Sequence, residues 1–111
     1  MFGNFGQIAS LLKNLPQMKE NMKLAQARLS AARFQGEAGG GQVRATVDGK
    51  GEPVTLKIEP TLLATQDAEM IEDLTVAAFR EAIRISRDGA MKEMQAAAGG
   101  MDLSGFADML K

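Results

Sequence analysis

With 111 residues, five Phe, no Trp, Tyr, Cys or His and a formal charge of −1, the chain lacks the groups for thiol, imidazole or disulfide chemistry. Its length leaves little room for a large private core, so burial of apolar surface between subunits is expected. No apolar run reaches the ~20 residues that cross a bilayer and the opening residues do not follow a signal-peptide pattern, so a soluble, cytoplasmic protein without a membrane partner is expected.

The first predicted element is a helix over about residues 8–33. Ile8, Leu11, Leu15, Met18, Met22, Ala25, Leu29 and Ala32 recur at 3-4-3-4 spacing, the seam of a helix that packs along another helix. Residues 1–34 carry Lys13, Lys19, Lys23, Arg28 and Arg33 against Glu20 alone, five cations to one anion for a net +4, which makes this the basic element. Pro16 removes a backbone donor, and its ring crowds the preceding turn. Either the main helix starts near Leu15, with Asn14 as its cap and residues 3–13 as a separate turn, or one helix is kinked at Pro16. The cost of an interior proline favours the first.

From Phe34 the period changes to two. Val43, Ala45 and Val47 alternate with polar residues, as do Val54, Leu56 and Ile58, predicting two strands with one apolar face each and Asp48-Gly49-Lys50-Gly51 as the hairpin turn. Phe34 to Ala38 forms a third strand ahead of Gly39-Gly40-Gly41, so residues 34–59 read as a three-stranded antiparallel meander. If the hairpin closes symmetrically, Arg44 faces Lys57 on the exposed side, a like-charge pair that is unfavourable unless an anion lies between.

Pro60 ends the last strand, and a second helix is predicted over 67–98. Ile71, Leu74, Ala78, Ala82 and Ile85 share one face, widened by Phe79 and Ile83, and Asp67, Glu69, Glu72 and Asp73 crowd the first turns, where the helix dipole favours them. Arg80, Arg84 and Arg87 form a basic stripe at i, i+4 and i+7, with Glu81 and Asp88 near enough to pair with it. Gly89 is a weak point, and Gly99-Gly100 should end the helix. Residues 99–111 read as a flexible tail in which Asp102 to Leu110 forms at most a marginal helix.

The search for chemistry is mostly negative. Glu69 and Asp73 are spaced to chelate a hard cation, but no oxygen-rich loop supports them, and an acidic solvated turn is the simpler reading. Gly49-Lys50 lacks the following Ser or Thr and the Gly five positions earlier that a phosphate loop needs. The chain is therefore expected to be no enzyme and to use no cofactor, metal or small-molecule substrate. Cations on helices can instead neutralise a nucleic-acid backbone, and Lys13, Lys19, Lys23, Arg28, Arg80, Arg84 and Arg87 are the candidate contacts. The overall pI of 5.4 lies below the basic values common among nucleic-acid-binding domains. The scarcity of aromatic residues argues against base stacking, and so against single strands.

The order of long helix, three-stranded meander, second helix and glycine-containing tail resembles the YbaB/EbfC family of bacterial nucleoid-associated DNA-binding proteins. The resemblance is carried by Met1-Phe2-Gly3, Gln17-Met18, Gly36-Glu37 through Gly39 to Val43, and Ile58-Glu59-Pro60-Thr61-Leu62-Leu63. Met70-Ile71-Glu72-Asp73-Leu74, Ala77-Ala78-Phe79, Gly100-Met101 and Gly105-Phe106 continue it. Pro16 departs from the pattern, since the first helix of relatives is usually unbroken. The resemblance implies a single α+β domain over residues 1–111 and a tweezer-like homodimer with helical arms. It further implies binding of double-stranded DNA with limited sequence preference, a place in the nucleoid, and effects on nucleoid organisation and gene expression. The family supplies no fixed set of contacting side chains, so the cations above are assigned on charge and placement. The alternative is a protein-interaction module that uses the seam with Met18, Met22, Met91 and Met94.

Overall fold

The structure is a computed structural model that describes residues 2–98, with side-chain surroundings from residue 6 onward. Met1 and the tail predicted over 99–111 lie outside the described residues. The elements are α1 (Phe2–Ala31), β1 (Phe34–Ala38), β2 (Val43–Val47), β3 (Pro53–Ile58), α2 (Pro60–Leu63) and α3 (Ala68–Ala97). This is the α-β-β-β-α order expected from the sequence, with one short extra helix.

The expected start near Leu15 is overturned: α1 is one helix that runs through Pro16. Proline deprives the Leu12 carbonyl of its helical donor, which is costly where water is excluded. Residues 6–17 are all exposed, so solvent can satisfy that carbonyl. The helix also begins earlier and ends earlier than the predicted 8–33. Arg33 closes its last turn by donating to the carbonyls of Ser30 (3.0 Å) and Ala32 (2.9 Å).

The seam divides at the same place. Ala25 and Leu29 are buried and Met18 is half-buried, whereas Ile8, Leu11 and Leu15 are each about half exposed. The helix that covers the C-terminal half of the seam is α3 of the same chain.

The sheet has the order β1-β2-β3 with both pairs antiparallel. Gly39, Gly40 and Gly41 all have positive φ and form the β1–β2 turn, a conformation closed to most side chains. Arg44 pairs with Lys57 as the symmetric hairpin predicts, with a register shift nearer the turn at Thr46/Val47. Val43, Ala45 and Val47 are fully buried. Leu56 is on their face of the sheet yet remains 42 % exposed, as does Val54 at 43 %, because α3 lies over β1 and β2 and leaves β3 at an open edge. The alternation in β3 therefore marks an apolar face that α3 does not cover.

Pro60 both ends β3 and opens α2, where its missing N–H costs nothing, and α2 buries Leu62. Asp67 then caps α3 by accepting a hydrogen bond from Met70 N at 3.1 Å. Along α3, Ala78 and Ala82 are fully buried against β1 and β2, and Ile71, Leu74, Phe79 and Ile83 pack around them. Ser86 continues this face, its hydroxyl donating to the Ile83 carbonyl at 2.9 Å. Gly89 has a packing reason: the Phe34 ring occupies the place a side chain there would take.

Candidate nucleic-acid interface

The cations of α1 are positioned by the way that helix packs. Only its C-terminal half rests on α3, and the pairing is antiparallel: Arg28 meets Glu93, while Met18 and Asn21 share a groove with Ala97 and Ala98. The N-terminal half extends beyond these contacts with every residue from Gly6 to Gln17 exposed. At 1.5 Å per residue α1 is about 45 Å long, so it is an arm more than a layer of the core.

Lys19 and Lys23 are one turn apart on the same face, both exposed, and share a shallow surface with Pro16, Met22 and Gln26. Lys13 is also exposed but lies about a third of a turn around the helix from Lys19. None of the three makes an ion pair among the described residues. Arg28 is different. Nine residues from Lys19, it lies on the opposite face and is tied to Glu93 of α3.

On α3 the stripe Arg80, Arg84, Arg87 is formed as predicted and exposed along its length. Its middle member is engaged: Arg84 donates to Glu81 through Nε (3.1 Å) and Nη2 (2.5 Å), and Nη1 reaches Asp88 at 3.4 Å. The hydrogen bond from Arg84 lowers the pKa of Glu81, and the same bond raises that of Arg84. Arg80 and Arg87 have no ionic partner among the described residues.

The structure therefore brings together Lys19 with Lys23, and Arg80 with Arg84 and Arg87, but does not bring Lys13 or Arg28 onto the Lys19 face. The Arg44–Lys57 pair needs no external anion, because Glu37, directly across from Arg44 on β1, places a carboxylate 3.7 Å from its Nε. Among the described residues no group of acidic side chains is placed to hold a metal ion, and no helix is long and apolar enough to cross a membrane.

The family model of the YbaB/EbfC DNA-binding family matches residues 4–101. The chain belongs to the YbaB/EbfC DNA-binding family. Relatives agree with that membership along nearly the whole chain. A nucleoid-associated protein of Bordetella avium is 40 % identical over 98 residues, 88 % of this chain and 90 % of the relative. One from Gluconacetobacter diazotrophicus is 38 % identical over 96 residues, 86 % and 90 % of the two chains. A third, from Alkaliphilus metalliredigens, is 33 % identical over 104 residues, 94 % and 91 %. Among solved structures, an uncharacterised protein of Helicobacter pylori superposes with a TM-score of 0.63 at 24 % identity, covering 79 % of this chain and 89 % of that one. It shares the fold. Within the YbaB/EbfC chain described here, the features that set charge against solvent are thus the α1 arm and the outer side of α3.

Proposed function

We propose that this chain is a nucleoid-associated protein that binds double-stranded DNA without catalysis, mainly through the phosphate backbone, as a homodimer with two basic α1 arms. One observation carries the reading. Lys13, Lys19 and Lys23 stand exposed, with no ionic partner among the described residues, on an arm whose region is net +4, while the rest of the chain is net acidic. Cations held in this way exchange condensed counterions for phosphates and carry no base-reading geometry, which accounts for limited sequence preference. Two arms in a dimer raise the effective concentration of the second contact once the first is made. The site so defined is Lys13, Lys19 and Lys23. Arg28 contributes by fixing the arm to α3, and the cytoplasmic nucleoid is where such a protein would act on DNA organisation and gene expression.

The test is duplex-DNA affinity across a salt series for the parent and for Lys19→Ala/Lys23→Ala. The parent's log affinity should fall linearly with log salt, and the slope of the double variant should be shallower by about one for each phosphate contact removed. Absence of parent binding at low salt overturns the proposal.

A further inference from the structure

α3 covers the seam of α1 only as far as α3 itself runs. It ends at Ala97, beyond the buried Ala25 and Leu29, and the seam continues through the exposed Leu15, Leu11 and Ile8. Where α3 ends, a groove of about 800 Å³ opens along α1, with Leu11, Asn14, Gln17 and Met18 on its side and Ala97 and Ala98 at its end. The chain passes from this groove into Gly99-Gly100, a pair that permits a change of direction, and into residues 101–111. Twelve residues of α1, Gly6 to Gln17, stand exposed beyond α3, and residues 99–111 number thirteen. At 1.5 Å per helical residue these are lengths of roughly 18 and 20 Å, so the uncovered arm and the chain available to cover it match. Leu103, Phe106 and Leu110 also repeat the 3-4 spacing of the seam.

We propose that residues 101–110 dock as a short helix on the uncovered seam of α1 in their own chain, continuing the antiparallel line of α3. Counted from Asn21 and Ala97, which share the groove, Leu103 comes level with Leu15, Phe106 comes within a residue of Leu11, and Leu110 comes level with Ile8. A helix this short is marginal alone, so it forms where an apolar surface receives it. Charge selects this occupant over a second arm. Asp102 and Asp108 bring anions to a region of net +4, whereas another copy's α1 would set +4 against +4. The docked segment would brace the arm along its apolar side, and the inference holds whether or not the arm meets DNA.

Cross-linking in this cysteine-free chain tests it. Leu11→Cys/Phe106→Cys places thiols on the proposed contact, and Ala9→Cys/Phe106→Cys places one at nearly the same level on the opposite side of α1, where a tail that does not dock would reach as readily. With a short bis-maleimide, the first pair should link within one chain more than about tenfold faster than the second, because docking raises the effective concentration of one thiol at the other. Equal rates, or linkage between chains alone, overturn the proposal, the latter in favour of a second copy as the occupant. Amide hydrogen exchange supplies a second measurement without cysteines. In full-length Leu103→Asp/Phe106→Asp, amides of residues 8–17 should exchange more than about threefold faster than in the parent, with residues 20–31 unchanged. Unchanged exchange at 8–17 overturns the proposal, and it decides alone should either cysteine pair fail to fold.

Discussion

Gly36 of β1 and Ala82 of α3 meet backbone to backbone. A β-carbon on Gly36 would fall inside the van der Waals shells of the Ala82 nitrogen and the Ala78 carbonyl oxygen. Neither obstacle is the end of a movable side chain, so relief requires α3 to lift from the sheet that buries Val43, Ala45 and Val47 beneath it. Gly36→Ala is expected to cost about 3 kcal/mol or to prevent stable folding, measured by urea denaturation.

Gly6 supplies the opposite case. It lies within α1, is exposed, and beyond its chain neighbours and the helix's own backbone nothing among the described residues comes within 4 Å of where a β-carbon would stand. Gly6→Ala should raise helix content and stabilise the arm by about 1 kcal/mol in the same assays, since only the conformational freedom of glycine is removed. A loss of helix content would show that the arm is not helical at this position.

Much of this fold is readable along the chain wherever the signal is local. Alternation at Val43, Ala45 and Val47, the Gly39–Gly41 run and the Asp48–Gly51 turn place the meander and its Arg44–Lys57 register. Asp67 marks the start of α3, and the spacing of Glu81, Arg84 and Asp88 anticipates their pairing. Signals that depend on what lies opposite are not readable. Period two in β3 shows an apolar face but not that α3 stops short of it. The penalty on Pro16 holds for a buried helix, and α1 is in water there. Pro60 reads as a strand stop, which hides its equal fitness to begin α2. In the candidate site, the charge of the arm is legible. The capture of Arg28 by Glu93, 65 residues away, is not.

That Arg28–Glu93 pair separates an architectural cation from a DNA contact. Both side chains are partly solvated, Arg28 at 57 % and Glu93 at 27 % exposure, so their coupling in a double-mutant cycle with Arg28→Ala and Glu93→Gln should be below about 1 kcal/mol. Because its charge is already matched, Arg28→Ala should reduce the salt slope of DNA binding by less than either Lys19→Ala or Lys23→Ala. A larger effect at Arg28 would move the DNA contact to the junction of α1 and α3.

The cap at Asp67 sets the start of α3 through one hydrogen bond to Met70 N. Asp67→Ala leaves that first-turn N–H without its acceptor and is expected to cost about 1 kcal/mol, with Asp67→Ser or Asp67→Asn recovering most of it. Thermal unfolding of the three variants checks the order.

Asp48 makes the β2–β3 turn sensitive to acid. Its Oδ1 accepts hydrogen bonds from Lys50 N at 2.8 Å and Glu52 N at 3.1 Å, and the bond from Glu52 is the chief cause of a carboxyl pKa below the ordinary aspartate value, aided by Lys50 and by the charge of Arg33. A carboxyl whose pKa is lower in the folded chain than in the unfolded one stabilises the fold when ionised. That contribution is complete above the ordinary aspartate range and disappears as the pH falls through the lower folded value, so the loss should lie below about pH 4. Asp48→Asn keeps an acceptor oxygen but cannot titrate. Between neutral pH and pH 3 its melting temperature should therefore fall less than that of the parent, while at neutral pH the parent should be the more stable of the two. Equal acid slopes for the two chains would show that Asp48 does not govern the acid response, leaving Glu81, whose pKa is lowered by Arg84, as the carboxylate to replace next.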